Sequence, residues 1–158
     1  MKIQLNFVVG ACAAVALTGP IYANLLWINE FHYDNVGTDA GEFVEVVIAP
    51  GGPAAAAVNI TLYNGANGLS YGTLNLASAT LGSNVNGFQF YVWNLPVDGL
   101  QNGSPDGIAL DVSGTLDEFI SYEGTFTALN GPANGNLSVD VGVAETSTTP
   151  RIVPLRPI

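Results

Sequence analysis

Oxygen-bearing side chains crowd one stretch of the chain. Glu30, Asp34, Asp39, Glu42 and Glu45 are five of the 13 acidic residues and fall within 16 positions. Asn29 and Asn35 add amide oxygens, and Gly37 and Gly41 let the intervening loop fold back tightly. A hard cation such as Ca²⁺ takes about six to eight oxygens from carboxylates, amides and carbonyls. A turn bringing Asp34, Asp39 and Glu42 together would supply three carboxylates with no lysine or arginine nearby, and Glu30 or Glu45 could assist. The spacing does not fit an EF-hand loop. The competing reading is a solvated acidic turn flanked by strand-edge glutamates.

A second oxygen-rich loop runs from Pro96 to Gly107 and contains Asp98, Asn102 and Asp106. These residues could bind a cation, with Asp106 the added candidate ligand. Asp and Asn also build such turns alone, through side-chain bonds to their own backbone. Gly68-Leu-Ser-Tyr-Gly72 matches the G-x-S-x-G string of serine hydrolases. That string needs a strand-to-helix turn and a later acid and histidine. The only histidine, His32, precedes Ser70 and is expected at a partly exposed strand end. Clusters of His and Cys, and with them zinc motifs and Cys-His dyads, are absent from the sequence. A hydrolase using paired carboxylates needs only two acids of different pKa, and nothing in the spacing favours one. No catalytic residue is therefore expected, and the chain is read as a non-enzyme.

The elements that position these residues read as β throughout. Leu25–Phe31, Glu42–Ile48, Val58–Tyr63, Gly87–Trp93, Ile108–Val112 and Leu116–Tyr122 alternate with period two and are rich in Val, Ile, Tyr and Phe, which is the strand signal. Val44, Val46 and Ile48 share one face, and so do Val58, Ile60 and Leu62. Ser138–Val143 and Arg151–Leu155 are weaker candidates. Asn-Gly at 64, 67, 86, 102, 130 and 134, and Asp-Gly at 98 and 106, supply turn chemistry between the runs. Many short strands with dense turns predict an antiparallel sandwich or barrel. Ala54–Ala57 is long enough only for a helical turn. No internal repeat or second domain is visible.

Residues 1–23 are expected to be a signal peptide. Lys2 precedes the apolar run Phe7–Leu17, and Ile21-Tyr22-Ala23 is a small-residue exit. The run is short for a membrane span, so no stable membrane insertion is expected after cleavage. Cleavage there removes Lys2 and Cys12, leaving Arg151 and Arg156 as the only basic residues and no disulfide to hold the fold. The whole chain carries a formal charge of −10. Nucleic-acid binding needs Lys and Arg to displace counterions, so nucleic acid is excluded as an unaided partner. Divalent cations are the natural small partners. High hydrophobicity at 48% against 10% charged residues also excludes whole-chain disorder.

Leu26-Trp-Ile-Asn-Glu-Phe-His-Tyr-Asp-Asn-Val-Gly-Thr-Asp-Ala-Gly-Glu-Phe-Val-Glu45 resembles the opening of bacterial secreted lamin-tail-like domains. Leu100-Gln-Asn-Gly-Ser-Pro-Asp-Gly-Ile-Ala-Leu110 is similar to their middle signature. Phe119–Phe126, Gly131-Pro-Ala, Asp140–Val143 and Glu145–Pro150 are similar to later ones. The resemblance implies an immunoglobulin-like antiparallel β-sandwich over residues 24–150, and a scaffold or interaction module often found beside nucleases. The sequence departs from that pattern after Pro150. Residues 151–158 hold Pro154 and Pro157, which donate no ladder bonds, so an extended tail or edge strand is expected there.

Three functions follow as expectations. The first is a secreted, non-catalytic scaffold or adhesion module of a surface or matrix, stabilised by Ca²⁺. The second is a self-assembling filament subunit, joined to copies of itself through sheet edges. The third is an acidic-residue hydrolase or an accessory module of a secreted nuclease.

Overall fold

The computed structural model describes residues 25–150. The expected signal peptide, 1–23, and the expected tail or edge strand, 151–158, lie outside the described residues. Within them the chain forms nine strands in two sheets. Strands β1 (Leu26–His32), β2 (Phe43–Ile48), β5 (Thr80–Val85) and β6 (Phe88–Asn94) make one sheet in the order β1-β2-β6-β5. Strands β3 (Val58–Asn64), β4 (Leu69–Asn75), β7 (Asp106–Val112), β8 (Thr115–Tyr122) and β9 (Val139–Asp140) make the other, in the order β4-β3-β7-β8-β9. All neighbours are antiparallel except β8 and β9.

The sheets pack as a β-sandwich because period-two alternation gives each an apolar face to bury. Leu26, Val44, Val46, Ile48 and Trp93 from one sheet meet Val58, Ile60, Leu62, Ile108, Leu110 and Ile120 from the other in one core. The second sheet is covered on both sides. On its outer face Tyr63, Ala109 and Phe119 pack against Phe126, Ala128 and Ala133 of the segment that follows β8.

The tight hairpins have the backbone their turns require. Asn86 and Gly87, between β5 and β6, have φ of 54° and 88°, and Ser113 and Gly114, between β7 and β8, have 52° and 84°. Two successive positive φ values match the right-handed twist of the flanking strands. Asp106-Gly107 is different: it opens β7 and is not a turn. A Cβ on Gly107 would stand 2.6 Å from the Ile120 carbonyl oxygen and 3.0 Å from the Phe126 ring, so close approach of backbone and ring explains the glycine.

Strands β4 and β5 were not expected, because neither alternates strongly in hydrophobicity. Among the described residues each is an outer strand held by one partner, β3 or β6. Ala55–Ala57 forms a single 3-10 turn.

Candidate functional site

One end of the sandwich collects the polar chemistry. There β1 ends and β2 begins, β6 ends and β7 begins, and β8 ends. The β1–β2 loop, the loop from Leu95 to Pro105 and the segment from Val141 to Thr149 meet over these ends. The Leu95 N–H donates to the Glu42 carbonyl at 2.9 Å, Asp98 N–H to the Asp39 carbonyl at 3.2 Å, and Val36 N–H to the Thr149 carbonyl at 3.0 Å.

His32 sits at the end of β1 and is fully buried, contrary to the expected partly exposed strand end. Its Nδ1 lies 2.6 Å from Glu145 Oε1. Its Nε2 lies 3.3 Å from Asn35 Nδ2, and the same amide nitrogen donates to the Ala40 carbonyl at 3.1 Å. That second bond fixes the Asn35 amide with its nitrogen toward the ring. Nε2 therefore accepts, and Nδ1 carries the proton that points at Glu145.

The other oxygen of Glu145 accepts Tyr33 N–H at 2.6 Å and Asp34 N–H at 3.1 Å. The Tyr33 hydroxyl accepts Glu145 N–H at 2.6 Å and donates to Glu123 at 2.9 Å. Burial first, then the nearby carboxylates, hold the Tyr33 hydroxyl well above its ordinary value. Beneath it the Tyr33 and Tyr122 rings stack with centroids 4.0 Å apart.

Of the candidate metal ligands, Asp34 and Asp39 do come together. They are close enough for their charges to act on each other: Asp34 is raised by burial first and then by the neighbouring Asp39 charge. Burial also acts upward on Asp39, but bonds from Asn102, the Asn35 N–H and Asp34 outweigh it and hold that carboxyl below its ordinary value. The Asn35 N–H donates to Asp39 Oδ1 at 3.1 Å, and the Asn102 amide donates to Oδ2.

Glu42 turns elsewhere. It is fully buried and accepts Gly99 N–H at 2.6 Å and Leu100 N–H at 3.3 Å. Burial pushes its carboxyl up to about 7 despite those two bonds. Glu30 and Glu45 face each other across the β1–β2 ladder and lie in its body, outside the loop. Glu45 accepts the Asn29 amide at 2.7 Å and is raised by burial, offset by that bond, with the Glu30 charge adding to the rise. Asp106, on the other sheet, accepts Gly65 N–H at 2.8 Å and Gly103 N–H at 2.7 Å. Burial raises it against those bonds, and the charge added there is that of Glu123. Its role is the turn-building one. Among the described residues no group of three or more His, Cys, Asp or Glu side chains is arranged to hold a metal ion.

Gly68–Gly72 leads from a turn into β4, a strand and not a helix. Ser70 N–H donates to Asn130 Oδ1 at 2.9 Å, and the Asn130 amide donates back to the Ser70 hydroxyl at 3.0 Å.

No local spacing in the sequence marks His32, Tyr33, Glu123 and Glu145 as one group. Glu145 stands 113 positions from His32, and no local pattern marks it. No protein-family model, curated protein or solved structure matches the chain. Among the described residues no helix is long and apolar enough to cross a membrane.

Proposed function

We propose that the chain is an exported, non-catalytic β-sandwich that serves as a scaffold or adhesion module at a surface or in a matrix. The observation that carries this reading is how the buried acids are used. Glu42 and Glu145 each accept two backbone N–H groups from a distant segment, and Asp106 accepts one from distant Gly65 and one from Gly103 in its own turn. Where the carboxyl is ionised, such bonds are charge-assisted and strong. They tie loops together in a domain whose residues 25–150 contain no cysteine for a disulfide. In this use the acids serve as anchors for main-chain donors. The finer assignment, an immunoglobulin-like sandwich of the lamin-tail kind, belongs to the same proposal. It is supported by two face-packed sheets of four and five strands and by the motif resemblance.

Calcium stabilisation enters this reading through the Asp34–Asp39 pair. Two neighbouring carboxyls, with no lysine or arginine anywhere in residues 25–150, repel one another when ionised and gain from a divalent ion between them.

The experiment is a screen of purified protein against nucleic acid, glycan and ester substrates, run beside E42Q and D106N. No turnover is expected. Turnover lost in either variant would overturn the scaffold reading in favour of a carboxylate hydrolase.

A further inference from the structure

A cleft of about 380 Å³ opens between β1 and β8. Ile28, Phe31, Ile120, Val141 and Val143 give it an apolar lining. Val143 is 71% exposed and Ile28, Phe31 and Val141 are half-buried, so the mouth of the cleft is apolar surface open to a partner. Three carboxylates, Glu30, Glu118 and Glu145, share the cleft. No lysine or arginine occurs in residues 25–150 to neutralise them. The cleft runs beside β1, which among the described residues pairs only with β2 and so is a sheet edge there. Glu118 already accepts the Ile28 N–H at 2.9 Å, which blunts that edge for ladder pairing.

We propose that this cleft is the docking site of the chain's own residues 151–158, Arg-Ile-Val-Pro-Leu-Arg-Pro-Ile. The chemistry is complementary. The segment carries two arginines and four aliphatic side chains, Ile152, Val153, Leu155 and Ile158, against three acids and an aliphatic lining. Side chains carry the binding, because Glu118 occupies an edge donor and Pro154 and Pro157 have no N–H. Reach is sufficient. The Thr149 carbonyl is tied to Val36 N–H, and Glu145, four residues earlier, lines the cleft. Eight residues span at most about 26–29 Å, longer than the roughly 23 Å of a seven-residue strand such as β1. A tethered segment acts at a local concentration of about millimolar, so the chain's own segment outcompetes a second copy at micromolar protein. The inference is independent of the scaffold reading.

The test uses the full chain carrying C12S, V143C and V153C, oxidised mildly and resolved by intact mass and non-reducing gel. The expected product is an intramolecular disulfide in the monomer, and R151E/R156E on that background cuts its yield about fivefold or more. Covalent dimers would assign the cleft to a second copy and overturn the proposal. An unchanged yield after charge reversal would overturn it as well. Methyl NMR of the unmodified chain gives a readout that needs no cysteines. Ile28, Ile120 and Val141 signals are expected to shift between wild type and R151E/R156E, and unmoved signals would sink the idea.

Discussion

His32 Nδ1 and Glu145 Oε1 meet at 2.6 Å across 113 positions of sequence. The contact joins the end of β1 to a segment that has no strand of its own beyond β9. Because the same carboxylate also takes the Tyr33 and Asp34 N–H groups, one side chain holds the Val141–Thr149 segment to the β1–β2 loop.

Replacing Glu145 with alanine is expected to destabilise the domain by about 3 kcal/mol, since it strands two backbone donors and a buried ring nitrogen at once. Urea unfolding measures the loss. Hydrogen exchange at Tyr33 and Asp34 should speed up more than exchange in β7. A loss below about 0.5 kcal/mol would mean that water replaces the carboxylate fully.

Glu42 predicts an inverted pH profile. Its folded-state carboxyl sits near 7, above its ordinary 4.5, so the folded chain binds this proton more tightly than the unfolded chain does. The contribution is fully present below about 4.5 and is lost as pH rises through about 7. The size is on the order of 3 kcal/mol for one buried group. Stability measured from pH 5 to 8 should fall, and E42Q should flatten that slope. An equal slope in E42Q would assign the effect to another group.

Gly107 should tolerate no side chain. A G107A Cβ meets the Ile120 carbonyl oxygen and the Phe126 ring, and neither backbone nor packed ring yields cheaply. A loss of about 1–3 kcal/mol is expected from such overpacking. Near-neutral thermal unfolding of G107A would show that β7 and β8 can separate locally.

Calcium should act weakly. The Asp34–Asp39 pair supplies two carboxyls, and Glu42 is engaged with Gly99 and Leu100. That places the expected affinity in the roughly 10⁻⁴–10⁻³ M class of extracellular modules. Millimolar Ca²⁺ should raise the melting temperature over excess chelator in wild type and E42Q, but not in D34N. Identical melts in wild type with calcium and with chelator would remove the ion from the account.

The legible parts of this fold were those set by local pattern. Val58, Ile60 and Leu62 alternate because one face of β3 is core, and each is buried as its spacing implies. The short reach from Asp34 to Asp39 made their meeting readable. Strands β4 and β5 were not readable, because partner edges on β3 and β6 create them more than their own residues do. His32 looked like an exposed strand end until Glu145 arrived from far along the chain. Glu42 read as a ligand because an acid in an acidic stretch looks available. Its actual partners, Gly99 and Leu100, lie 57 and 58 positions on and carry no side-chain signal at all.

The strand order has a kinetic meaning. The β5–β6 and β7–β8 hairpins close over two-residue turns, whereas β2 finds β6 only after Ala49–Gly87 has been spanned. Local hairpins close in microseconds, while distant pairing must first overcome loop entropy. The two hairpins are thus the natural early structures, one in each sheet, and the β2–β6 seam is the late step that makes folding cooperative. Chevron analysis should show G87A and G114A slowing refolding, with V46A in the seam acting mainly on the unfolding rate.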